Sequence, residues 1–198
     1  MTMVLRFRFA IFTTLLGLLP IGLWAQGVRV QQARPAVKAN QLAPFVPTPQ
    51  NVVDRMLEAA AVKPGEVVFD LGSGDGRVLV TAAQKFGAKA VGVEISPKEV
   101  QSSRALIKKL KLDDRCRVIE GDLMQVDLSE ANVVTMYLLT KSNEMLRPNL
   151  EKYLKPGARV VSHDYEIRGW VPVRVEEAEA HKRVHRLFVY EMPPAKKQ

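Results

Sequence analysis

Cysteine is almost absent from this chain of 198 residues: Cys116 stands alone. A single thiol excludes an internal disulfide and a paired-cysteine zinc site. Flanked by Arg115 and Arg117 and followed by an apolar run, it reads as a structural thiol in or near a strand. Aromatic residues are sparse at 7%, and no stripe interleaving them with basic residues occurs, which argues against a nucleic-acid surface. Acidic residues are missing from the first 40 positions. That stretch holds five of the 29 basic side chains and none of the 21 acidic ones, leaving 24 against 21 for the rest. The formal charge of +8 therefore belongs mostly to an N-terminal arm. The remaining composition, 47% apolar and 25% charged, is that of one globular domain.

Charge is also missing between Phe9 and Ala25, an apolar run preceded by Arg6 and Arg8. Its length lies between a signal-peptide core and a membrane span. The expected organisation is a signal peptide or membrane anchor over residues 1–26 and a proline-rich linker over 27–49. A folded domain over 50–192 and a disordered tail over 193–198 complete it. A membrane-associated or exported protein is the corresponding expectation, with the side of the membrane open.

From residue 50 onward, helical and strand periodicities alternate. "NVVDRMLEAAAV" places Val53, Met56, Leu57 and Ala60 on one helical face, with Lys63-Pro64-Gly65 as its stop. "EVVFDLG", "KAVGVEI", "CRVIEGD", "ANVVTMYLL" and "KPGARVVSHDY" read as five strands separated by helices. The helix "SNEMLRPNLEKYL" is expected to break near Pro148. "WVPVRVEEAEA" and "HRLFVYEM" read as a final antiparallel pair. The implied fold class is α/β: a mostly parallel seven-stranded sheet with helices on both faces and an antiparallel C-terminal strand pair. Ligands in such sheets sit at the carboxyl ends of the strands.

The glycine-rich stretch "FDLGSGDGR" (69–77) falls at such an end. No Lys-Ser or Lys-Thr pair follows it, so it is not a triphosphate loop. Arg77 stands where a dinucleotide loop would place its third glycine, and Asp70 and Asp75 would repel a pyrophosphate. The pattern suits a ligand with a positive or neutral centre, such as a sulfonium amino acid whose ammonium Asp70 receives. Glu94, at the end of the second strand, is placed to accept two ribose hydroxyls. Asp122 after the third strand can take an adenine amino group, with Leu123 and Met124 as an apolar wall.

These three elements resemble motifs I, II and III of class I S-adenosylmethionine-dependent methyltransferases, over about residues 50 to 190. "FVPTPQNVVDRML" and "VVTMYLLTKSNEMLRPNLEKYLKPGARVVSHDY" further resemble the family of mitochondrial lysine methyltransferases acting on the ATP synthase c subunit and the adenine nucleotide translocase, together with their bacterial relatives. The resemblance implies a Rossmann-like methyltransferase fold and S-adenosyl-L-methionine as cofactor, with S-adenosyl-L-homocysteine as product. It implies Asp70, Gly72, Ser73, Gly74, Glu94, Ile95, Asp122 and Leu123 as cofactor-binding positions, and Thr48 within a Pro47-Thr48-Pro49 segment lying over the cofactor. Tyr137 is implied as the residue that orients the target amine. Thr140 departs from the family, which has proline there.

The expected activity is protein-lysine N-methylation at or near a membrane by a monomer, the protein substrate itself being a candidate membrane protein. The alternatives are methylation of RNA or a small molecule, and a non-catalytic S-adenosylmethionine-binding module. His163-Asp164 is a candidate base for the leaving proton, against a plain strand-end role. His181 and His185, four residues apart, lack a convincing acidic third ligand, so no metal is expected.

Overall fold

The computed structural model describes residues 45–197. Helix α1 (Gln50–Ala59) buries Val52, Val53, Met56, Leu57 and Ala59, the spacing of an amphipathic face. It ends before Lys63-Pro64-Gly65, because Ala61 already takes a left-handed conformation (φ 47°). Strand β1 (Val67–Leu71) leads into the glycine loop and α2 (Arg77–Phe86). Two left-handed glycines bound α2: Gly76 (φ 81°) at its start and Gly87 (φ 66°) at its end. Then follow β2 (Lys89–Glu94), α3 (Pro97–Lys109) with proline in its first turn, and β3 (Cys116–Glu120). A one-turn 3-10 helix (Leu123–Gln125), β4 (Val133–Met136), α4 (Thr140–Tyr153) and β5 (Arg159–His163) complete the alternating part.

Four further strands close the chain: β6 (Trp170–Val171), β7 (Arg174–Ala180), β8 (Arg183–Glu191) and β9 (Ala195–Lys196). The main sheet has seven strands in the order β3-β2-β1-β4-β5-β8-β7. The first five run parallel, and β8 lies antiparallel to both β5 and β7. His181 (φ 50°) and Lys182 (φ 61°) form the two-residue β7–β8 turn. Paired left-handed residues match the twist of a tight hairpin.

Parallel strands buried on both faces need apolar cover on each side. Helices α1, α2 and α3 pack one cluster, which includes the buried Cys116. Burial pushes that thiol up to about 11, so it stays protonated. The opposite face is covered by α4 with Ile167 and Trp170. Trp170 donates from Nε1 to Glu151 at 2.9 Å, and Tyr190 accepts from the Ile167 amide at 2.9 Å, so both large rings are buried with their polar ends satisfied.

Three expectations change. Helix α4 runs through Pro148 without a break. Proline removes one amide donor there, while Leu146 and Leu150, one turn apart, are both fully buried and hold the helix to the sheet. The tail is ordered further than its composition suggests: Ala195 and Lys196 pair with Val171 and Trp170 as a separate two-stranded sheet. The membrane-associated or exported placement is corrected, since among the described residues no helix is long and apolar enough to cross a membrane. The apolar stretch 1–26 on which that placement rested lies outside the described residues.

Candidate functional site

The sheet order reverses on either side of β1, which has β2 on one edge and β4 on the other. A crevice opens at the carboxyl ends there, and one cleft gathers Thr48, Asp70, Gly72, Ser73, Gly74, Glu94, Ile95, Asp122, Leu123 and Tyr137. Every cofactor position singled out from the sequence, and Tyr137 with them, lines this cleft.

Asp70 forms its floor. Parallel register sets it beside Thr135 on β4, whose hydroxyl donates to Asp70 Oδ1 at 2.7 Å. The carboxyl is only 6% exposed. Burial pushes its pKa up to about 7, and the nearby charges of Glu94 and Asp75 add to the rise against the Thr135 hydrogen bond. Among the described residues no basic side chain forms an ion pair with it. A buried carboxylate flanked by two others and lacking a cation suits a ligand that brings one.

Glu94 ends β2, and its oxygens organise the loops around it. Oε2 accepts from the Gly74 amide at 2.9 Å and Oε1 from the Ser96 amide at 2.8 Å. Each oxygen retains a lone-pair direction for a hydroxyl donor. The Gly121 amide donates to the Glu94 carbonyl at 3.0 Å, tying the loop after β3 to the end of β2. Asp122 accepts from the Met124 amide at 2.9 Å and caps the short helix that presents Leu123.

Glycine is required at two points for close approach. A Cβ on Gly74 would run into the Phe45 ring. One on Gly92, inside β2, would strike the Ser73 side chain and come to 2.8 Å from Leu79 Cδ1. Ser73, also in the cleft, keeps a buried hydroxyl oxygen without a protein partner.

Asp75 does not join Asp70 in facing a cation. Burial raises its pKa, but hydrogen bonds and charge from Arg77 outweigh that and hold the carboxyl below its usual range. The pair closes at 2.5 Å, and Arg77 Nη1 also donates to the Thr48 carbonyl at 2.6 Å. Arg77 thus fastens the segment before α1 to the glycine loop. Sequence reasoning used Arg77 only to exclude a dinucleotide; the D-G-R spacing, which permits this local ion pair, was the available signal. Gly92 was missed because a glycine inside a strand reads as weakness until the loop above it is seen.

At the other end of the cleft, Tyr137 follows β4 directly. Its ring lies 3.8 Å, centroid to centroid, from His163, and its hydroxyl makes a long hydrogen bond (3.4 Å) to Asp164 Oδ2. Burial first, and then the Asp164 charge, raise the Tyr137 pKa, so the phenol keeps its proton. Thr140 is the first residue of α4. Proline is also favoured at that position, so the departure leaves the helix start intact.

His163 ends β5 with Asp164 directly after it, and His185 meets them from β8. His163 Nε2 lies 2.9 Å from His185 Nδ1, which lies 3.0 Å from Asp164 Oδ2. Burial keeps the His163 imidazole neutral, well below its ordinary value. Asp164 takes a left-handed conformation (φ 61°); its amide donates to the Arg186 carbonyl at 2.7 Å, and the Arg186 amide donates to its carboxylate Oδ1 at 3.0 Å. His181 sits in the hairpin turn, away from this group, so the four-residue spacing of His181 and His185 has no structural meaning. The His163–Asp164 pair lies behind Tyr137 and is not part of the cleft lining.

The sequence profile described as the ANTKMT methyltransferase domain matches residues 70–174. A protein-lysine N-methyltransferase of Saccharolobus islandicus (strain REY15A) is 51% identical over 148 residues, covering 74% of this chain and 92% of that protein. An adenine nucleotide translocase lysine N-methyltransferase of Mus musculus is 32% identical over 132 residues, covering 67% of this chain and 57% of its own length. The chain thus spans little more than half of that larger relative. The crystal structure of an RNA methyltransferase from Salinibacter ruber in complex with S-adenosyl-L-homocysteine superposes with a TM-score of 0.71 at 44% identity. It covers 75% of this chain and 94% of that one.

Proposed function

Because the chain belongs to the ANTKMT methyltransferase family, and is an S-adenosyl-L-methionine-dependent methyltransferase, we propose that it methylates lysine side chains of a protein substrate. The observation that carries this is the 51% identity, over almost the whole of its length, to a protein-lysine N-methyltransferase.

In this reading Asp70 receives the ammonium of the cofactor's amino-acid end, a role its unpaired buried carboxylate suits. Gly72, Ser73 and Gly74 let backbone approach that end. Glu94 accepts from the ribose hydroxyls with its remaining lone pairs, beside Ile95. Asp122 accepts from the adenine amino group, with Leu123 against the ring. Thr48 closes the cleft from above, held by Arg77.

S-adenosyl-L-methionine supplies the electrophilic methyl group. The protein's share is orientation and exclusion of water. A lysine must be neutral to attack, and a half-buried cleft end disfavours its ammonium form. The Tyr137 phenol, packed against the His163 ring, presents a hydroxyl oxygen that accepts from the amine and fixes its lone-pair direction. We assign Tyr137 this positioning on its place beside the cofactor cleft, and not as a base.

RNA methylation is the second reading, favoured by the name of the Salinibacter ruber protein. Against it, Phe45 is the sole exposed aromatic among the described residues, whereas single-stranded RNA is gripped by exposed stacking rings. Incubation with methyl-labelled S-adenosyl-L-methionine and separate protein and RNA fractions decides between them. Label recovered as methyllysine is expected. Label in RNA alone overturns the lysine assignment, and cofactor binding without any labelled product overturns transfer.

A further inference from the structure

Three donor atoms from His163, Asp164 and His185 converge behind Tyr137 without belonging to the cofactor cleft. His163 Nε2 and His185 Nδ1 are 2.9 Å apart, His185 Nδ1 and Asp164 Oδ2 3.0 Å, and His163 Nε2 and Asp164 Oδ2 3.6 Å. Placing the His163 ring proton on Nδ1, where Thr48 Oγ1 lies at 3.4 Å, leaves Nε2 with a bare lone pair. His185 Nδ1 then faces that lone pair and a carboxylate oxygen together. One ring proton on His185 can satisfy one of them well, but not both. Three electron-rich atoms in a triangle form a set that one shared cation can satisfy together.

We propose that His163, Asp164 and His185 form a divalent transition-metal site of the zinc class. A tetrahedral zinc with bonds of ~2.0–2.1 Å holds its ligand atoms roughly 3.3–3.4 Å apart. The three distances straddle that separation, so the metal enters with shifts of a few tenths of an ångström. Two imidazoles and one carboxylate form a ligand set typical of zinc sites that keep an open position. Both histidine rings are buried, and the Thr48 hydroxyl beside His163 Nδ1 supplies the outer contact that fixes a metal-binding tautomer. The Asp164 carboxylate is already oriented, because the Arg186 amide binds Oδ1 at 3.0 Å and leaves Oδ2 towards the histidines.

Arg183 Nη2 also reaches Asp164 Oδ2, at 2.9 Å. Its side chain is 61% exposed, so it swings into solvent when a metal takes its place as the carboxylate's cation. The Tyr137 hydroxyl lies 3.4 Å from the same oxygen. Metal occupancy would therefore stiffen the support of the residue that orients the acceptor.

The chain contains three histidines and one cysteine, which makes the test clean. The full chain, carrying no affinity tag and stripped with a chelator, is titrated with zinc chloride alone by calorimetry. Cobalt(II) chloride is added in parallel and its visible absorption recorded. One zinc per chain and tetrahedral cobalt bands are expected. Asp164→Asn and His185→Gln should each weaken zinc at least ~10-fold, with folding checked by circular dichroism. His181→Ala should bind as the parent does. Absence of stoichiometric uptake overturns the proposal. So does uptake unchanged in folded Asp164→Asn and His185→Gln, or uptake lost in His181→Ala.

Discussion

Replacing Asp70 by asparagine should stabilise the cofactor-free protein and weaken cofactor binding, two effects of opposite sign from one atom. The parent carboxyl is held at about 7 by burial, against 3.8 for an ordinary aspartate. Below about pH 3.8 it is protonated in both folded and unfolded chains, and its ionisation costs no stability. Between that pH and about 7 the unfolded chain ionises first, so stability falls as pH rises. Above 7 the loss is complete at roughly 4 kcal/mol. Asparagine keeps an oxygen for the Thr135 hydroxyl but adds a buried NH2 that finds only partial satisfaction, which removes about 1–3 kcal/mol of the gain. The net gain at pH 8 is about 1–3 kcal/mol, or an increase of roughly 3–10 °C in Tm for a chain of this size; near pH 4 the ionisation penalty is almost gone while the amide's cost remains, so there the variant should be less stable than the parent. Loss of the charged acceptor should weaken S-adenosyl-L-methionine by about 1.5–3 kcal/mol, roughly 10–150-fold. Thermal melts at pH 4 and pH 8, with calorimetric titration of the cofactor, measure both. A variant less stable than the parent at pH 8, or one with unchanged affinity, would refute the account of Asp70 as a strained carboxylate awaiting a cation.

Gly92→Ala should lower stability by about 1–3 kcal/mol and reduce cofactor affinity together, because its methyl collides with Ser73 of the glycine loop; denaturant melts and titration would reveal one without the other if the loop does not rest on β2. Tyr137→Phe should cut kcat by roughly 10-fold or more while cofactor Kd stays within about twofold of the parent, a split that steady-state kinetics and calorimetry can read. Leu146→Ala should cost about 2–5 kcal/mol, since the side chain is fully buried beneath α4, and would do so with cofactor affinity little changed. Arg77→Met should loosen the Thr48 segment and weaken the cofactor about 10-fold by losing two charge-assisted bonds, with hydrogen exchange rising at residues 45–49.

Much of this architecture was legible because parallel α/β sheets write themselves plainly. Buried runs such as "VVF" and "AVGV" sit between helical periodicities, and left-handed glycines such as Gly87 mark the helix ends. The lining of the cleft was legible too, since an acid at each of three successive strand ends is a local pattern. Pro148 misled because a helix's tolerance of proline depends on what Leu146 and Leu150 touch, which propensity does not contain. The pairing of Ala195–Lys196 was hidden because its partner, Trp170–Val171, is remote in sequence.

The sequence by itself determined the order of elements, the place of the glycine loop, and the acids at the strand ends, because hydrophobic period and turn chemistry act over a few residues. Tertiary structure decided which carboxylate is left without a cation. Asp75 is neutralised by Arg77 two residues away, while Asp70, of the same residue type, is left buried and unpaired. It also decided which histidines meet. His163 and His185 are brought together by the β5–β8 register, and His181, the nearer in sequence to His185, is turned away, because strand pairing rather than sequence spacing sets what a side chain in a sheet can reach.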